Sequence, residues 1–136
     1  MSAVWNSILS GLPVLIVDLG VTTVLLLCGI ALYVSIAPYH ELRLVRQGNV
    51  AAAIVLAGQS LALAIPLAAM MANSVNVPDI LVWGAVTIIL QFVAIVAARL
   101  VIPHLPSLIA KGEIAPALLL ASGQIIAGLL NAAAIN

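Results

Sequence analysis

Charge is what this chain has least of. Its 136 residues include four basic and four acidic side chains, 6% of the total, with a formal net charge of zero. There is no run of either sign, so the chain lacks both the basic patch of a nucleic-acid binder and the polybasic stretch that holds a protein to anionic lipid. No nucleic acid is expected as a partner. The single cysteine, Cys28, lies within an apolar run, which excludes an intrachain disulfide and reads as a small buried hydrophobe. His40 and His104 come without the further ligands that a divalent-metal site needs, and both are expected at a wet interface. No nucleophile stands beside a base, and no glycine loop is built for phosphate. Neither a cofactor nor an enzymatic activity is expected.

In place of charge there is apolar surface. Hydrophobic residues make up 65% of the chain and the mean hydropathy is +1.35, against a norm of about 45–50% apolar in soluble domains. A soluble globular domain is excluded. A hydrocarbon core about 30 Å thick needs roughly 20 residues of helix, and four segments qualify, from about Val14 to Ile36, Asn49 to Asn73, Ile80 to Ile102 and Ile114 to Ile135. The expectation is an all-α membrane protein of four transmembrane helices in a single domain, with the lipid bilayer as its surroundings. Short separators force successive helices to be antiparallel. The stretch from Met1 to Leu12 carries no Lys or Arg, and the apolar segment that follows outruns a signal-peptide core, so it reads as a retained helix.

Arg43 and Arg46 fall in the first loop and Arg99 and Lys111 around the third, with none elsewhere. The positive-inside bias places both basic loops in the cytoplasm and both termini on the periplasmic side. Trp5 and Trp83 then fall near the outer interface, and Tyr33 and Tyr39 near the inner one. Asn49, Asp79 and Glu113 stand where helices begin and are suited to accept from first-turn amides, and Pro116 falls in a first turn that tolerates it.

Two halves of the sequence repeat. Gly48-Asn49-Val50-Ala51-Ala52-Ala53-Ile54-Val55-Leu56-Ala57 aligns with Gly112-Glu113-Ile114-Ala115-Pro116-Ala117-Leu118-Leu119-Leu120-Ala121 at five identities in ten. Gly58-Gln59 matches Gly123-Gln124 after a one-residue slip, and Pro38 matches Pro103. The expectation is a duplicated hairpin, repeat 1 about 14–74 and repeat 2 about 80–135, related by a pseudo-twofold axis along the membrane normal.

The chain resembles the bacterial family called domain of unknown function 350. The likeness rests on Pro38 with Glu41, the Gly48-Asn49-x-Ala51-Ala52 helix start, Gly58, Ile65-Pro66-Leu67, Pro78-Asp79, Trp83-Gly84, Gln91, Arg99, Pro103 and the ending Gly128-Leu129-Leu130-Asn131-Ala132-Ala133. It covers nearly all of the chain after about residue 20. The resemblance implies a multi-pass protein of the bacterial inner membrane built of two such hairpins. It brings no residue roles with it.

Depth gives the polar residues their meaning, because an ionisable group within hydrocarbon is costly and marks function. Asp18, one turn inside the first segment, and Asp79, opening the third, are expected at the outer interface. Arg99 lies roughly 28 Å along its helix and can reach the inner headgroups, paired with Glu41, Glu113 or lipid phosphate. With no titratable group at mid-membrane, a proton-driven antiporter is disfavoured. Amides do reach the middle: Gln59 and Gln124, expected to approach each other across the pseudo-twofold, and Gln91. They are read either as interhelical glue or as the lining of a cavity or ion path. Pro66 and Asn131 hold equivalent places, seven residues beyond Gln59 and Gln124, and can shape a polar vestibule opening outward with Asn73. Small residues four apart, such as Gly58 and Ala62 or Gly128 and Ala132, make the second and fourth spans the inner pair, with surface to spare for a homo-oligomer. Two functions follow as expectations: a self-associating structural or accessory component, or a small oligomeric channel or carrier lined by Gln59, Gln91, Gln124 and Asn131.

Overall fold

The computed structural model describes residues 1–37 and 40–135. Six helices follow one another: α1 Ser2–Ile36, α2 Glu41–Arg46, α3 Val50–Asn73, α4 Val77–Val101, α5 Leu105–Ala110 and α6 Ile114–Ile135. Four of them, α1, α3, α4 and α6, are long and apolar enough to cross a membrane. Pro38, expected to match Pro103, and Tyr39, expected at an interface, lie outside the described residues.

The first helix departs from expectation. It starts at Ser2, not near Val14, and runs for 35 residues with Pro13 inside it. A proline removes one helical hydrogen bond without having to end a long helix, so Pro13 was no boundary. The basic loops also fold into helix. α2 and α5 are six residues each, and His40 and His104 stand at their amino-terminal ends.

Both short helices stop in the same way. Gly48 and Gly112 adopt φ of 85° and 83°, a left-handed conformation that glycine alone enters without strain. Gly48 N–H donates to Val45 O and Asn49 N–H to Leu44 O; in the second loop Gly112 N–H donates to Ile109 O and Glu113 N–H to Leu108 O. These are two Schellman caps of one pattern, each turning the chain from a short helix into a spanning one. Asn49 then caps α3, its Oδ1 accepting from Ala52 N–H at 3.0 Å. Its Nδ2 donates to Ile109 O and Ala110 O at 3.1 and 3.2 Å, tying the start of α3 to the end of α5.

The other two expected caps fail. Glu113 caps no amide among the described residues, because its side chain is a methylene longer than those that fold back onto a first turn. Asn76 caps α4 instead of Asp79, its Oδ1 accepting from Asp79 N–H at 3.0 Å. Asp79 sits in the first turn, and its Oδ2 accepts from Val75 N–H at 3.3 Å.

α3 and α6 form the centre, as the spacing of small residues predicts. A Cβ on Gly58 would lie 2.6 Å from Ala121 Cβ, and one on Gly128 would lie 2.6 Å from Ala62 O. Lipid is as apolar as leucine, so helices gain little from hiding side chains from it. Close backbone packing supplies the attraction instead. α1 and α4 flank the pair, and α1 is the least enclosed of the spans. Around the end that carries α2 and α5, here the basic end, a core gathers Tyr33, Ala51, Val55, Ile95, Leu105 and Ile109; toward the opposite, far end, Leu67, Met70 and Ile80 form a second.

Candidate functional site

At the far end, α3, α4 and α6 leave a cavity of about 280 Å³ between them. Beside it, Ile135 of α6 packs against the Leu67, Met70 and Ile80 cluster. Asn73 and Ser74 come from the end of α3, Asp79, Trp83 and Thr87 from the first half of α4, and Asn131 from the end of α6. Met70, Val86, Leu90, Ala134 and Ile135 supply the apolar part of the wall. From Asp79 to Leu90 the cavity reaches about 16 Å along α4. Asn131 and Asn73, expected to shape a polar vestibule, both line this cavity, and Pro66 is not among its lining residues.

Its floor is made of bonds. Asn131 Nδ2 donates to Thr87 O at 3.3 Å, and deeper, Gln91 Nε2 donates to Gln124 O at 2.9 Å. Both link α4 to α6, both use main-chain oxygens as acceptors, and both are buried. Ser74 is held from within its own helix, its hydroxyl donating to Met70 O at 2.6 Å.

Gln59 and Gln124 behave differently. They fall within the α3–α6 crossing, between the Gly58–Ala121 and Ala62–Gly128 approaches, and are 0% and 2% exposed. Yet the Oε1 and Nε2 atoms of both have no hydrogen-bond partner among the described residues, so the two amides are not bonded to each other. Buried amides without partners are costly in a low-dielectric interior. Pro66 is buried in α3, and the Ala62 carbonyl that it leaves without a helical donor faces Gly128 of α6.

The charged residues scatter. Val21 packs with the far-end cluster, so Asp18, one turn further out, lies at the far end of the bundle, half-buried on α1. Arg99 lies in the last turn of α4, and among the described residues it makes no ion pair with Glu41 or Glu113. Glu41 is the correction of most chemical weight. Expected as a loop carboxylate within reach of Arg99, it is folded inward by α2 to 0% exposure, where Tyr33 Oη donates to its Oε1 at 3.0 Å. Tyr33, eight residues earlier, is also buried, and only the unforeseen helix α2 brings the two together. The other residues missed from sequence are Thr87 and Trp83. Thr87 stands four before Gln91, on the same face of α4, which is the signal that would have found it.

The model of the family described as Domain of Unknown Function (DUF350) matches residues 7–135. The chain belongs to the DUF350 family. Two relatives of this DUF350 chain are the UPF0719 inner membrane protein YjfL of Escherichia coli strain K12 and its counterpart in Escherichia coli O157:H7. Each is 29% identical over 105 residues, covering 77% of this chain and 80% of the relative. No solved structure matches it.

Proposed function

We propose that this DUF350 chain is a non-enzymatic, self-associating accessory component of the inner membrane, a tandem duplication of one hairpin with its basic end in the cytoplasm and its far end and termini in the periplasm. The observation that carries the reading is the use made of the amides: Gln91 and Asn131 are engaged with main-chain oxygens of neighbouring helices, as interhelical glue would be. The shared Schellman caps at Gly48 and Gly112 support the duplication. Self-association is supported by Gly123, whose surroundings are open, with Ala127 four residues on along α6. The far-end cavity is then a blind recess, not the mouth of a conduit.

In liposomes the purified chain should pass neither ions nor small solutes, while crosslinking across Gly123 should trap oligomers. Flux that disappears in Gln59→Leu with Gln124→Leu would replace this reading with the second one, an oligomeric channel or carrier. One observation favours that alternative: the four unpartnered amide atoms of Gln59 and Gln124 mark where water or an ion could be held. Orientation is tested separately. On a Cys28→Ala background, Asn76→Cys should react with an impermeant thiol reagent in cells whose outer membrane is permeabilised, and Ser107→Cys only after lysis; the reverse pattern would invert the topology.

A further inference from the structure

α1 overruns the bundle. Leu25 lies against Gly84 and Val21 against the Leu67, Met70 and Ile80 cluster, a register that sets Asp18 level with Val77, the first residue of α4. Ser2 to Val17 extend beyond that level, and every residue among them is exposed. Sixteen residues of helix measure about 24 Å, whereas the headgroup layer on each side of a bilayer is only roughly 5–8 Å deep. Continued straight, this part of the helix would carry Trp5 and Leu9, 64% and 68% exposed, into water.

The surface of the segment is sorted by side. At 100° per residue, Val4, Trp5, Ile8, Leu9 and Leu12 fall on one face, and Ser2, Asn6, Ser7, Ser10 and Gly11 on the other. Ser10 turns its hydroxyl back to Asn6 O at 2.9 Å. Where the segment joins the spanning part, Gly11 has open space around it and Pro13 leaves the Leu9 carbonyl without its helical donor. That is the local chemistry at which helices change direction.

We propose that Ser2–Leu12 is an interfacial helix, turned at Gly11–Pro13 to lie in the far-side membrane surface with its apolar face in the acyl boundary of uncharged lipid. Two features select lipid over a second copy of the chain. The apolar face runs on into Leu15, Ile16 and Leu19 of the same helix, which are exposed where α1 enters the membrane. It is also built of bulky side chains, without the small-residue groove that lets two helices approach. The absence of Lys and Arg from the polar face selects no anionic headgroup.

The test uses the full chain in phosphatidylcholine liposomes with Trp83→Phe, which leaves Trp5 as the single indole. Trp5 should emit blue-shifted, be quenched by bromines placed high on the acyl chains, and be shielded from acrylamide. Ile8→Asp with Leu9→Asp should raise acrylamide quenching several-fold without altering the bundle, because neither residue packs into it. Three results would overturn the proposal: a parent Trp5 open to acrylamide, quenching strongest by bromines at the bilayer centre, or shielding from both quenchers that is lost as the protein is diluted in lipid. The last would assign the face to a second copy.

Discussion

Gly128 of α6 lies against the main-chain oxygen of Ala62 in α3, the carbonyl that Pro66 leaves without its helical donor. A Cβ at Gly128 would come within 2.6 Å of that oxygen and 3.0 Å of Ala62 Cα. The proline and the glycine therefore act together, one exposing a backbone group and the other bringing a helix close enough to cover it.

Gly128→Ala should force the two helices apart and lower stability by about 1–3 kcal/mol, the usual cost of overpacking. Gly123→Ala, on the same helix with nothing within 4 Å, should leave unfolding of the monomer unchanged. Detergent titration of both variants, followed by circular dichroism, checks this. Equal effects would mean that the α3–α6 contact is not the tight one.

The buried amides should divide into two classes. Gln91→Leu removes the bond to Gln124 O and should cost about 0.6 kcal/mol, the average for interhelical bonds in membranes, and at most about 1.7 kcal/mol. Gln59→Leu and Gln124→Leu remove side-chain amides that have no partner among the described residues. They should be neutral or stabilising, by about 1 kcal/mol if the whole desolvation penalty is relieved. Unfolding midpoints of the three variants in one detergent mixture give the comparison, and a loss in all three would show that the two amides are engaged.

Asn49 and Glu113 occupy matching places after Gly48 and Gly112, but only Asn49 caps and crosslinks. Asn49→Ala should cost about 1–2 kcal/mol for the cap alone, and more for the loss of its contacts with Ile109 O and Ala110 O. Glu113→Ala should cost nothing measurable. The difference appears as a drop in Tm for one variant and not for the other.

Tyr33→Phe removes the phenol that donates to the buried Glu41 side chain at 3.0 Å. Losing one buried hydrogen bond should cost about 0.5–1.5 kcal/mol. The same change at an exposed tyrosine would cost little. Limited proteolysis of the loop around α2, compared with the parent chain, should show the loss as faster cleavage.

The spans were legible because hydrocarbon demands long apolar helices, and α3, α4 and α6 differ from their expected bounds by three residues at most. The pairing of α3 with α6 was legible too, since small residues four apart leave few other ways to pack. Composition hid the tertiary placement of short, ordinary segments. Glu41 looks like a loop carboxylate until α2 turns it toward Tyr33, and Asp79 looks like a cap until Asn76, three residues earlier, takes the first-turn amide. Asn73 and Asn131, singled out from the sequence, share the wall of one cavity. Thr87 was not singled out, because a lone threonine in an apolar helix carries no signal until the end of α6 is known to lie beside it.

The central claim is that the far-end cavity stops at the Asn131–Thr87 and Gln91–Gln124 bonds. Cysteine accessibility along that line tests it most directly, with Asn73→Cys, Asn131→Cys and Gln124→Cys each on a Cys28→Ala background in liposomes. A water-soluble thiol reagent should modify the first quickly, the second slowly and the third not at all from either side. Modification at position 124 at a rate comparable to position 131 would contradict the claim and open the core to water.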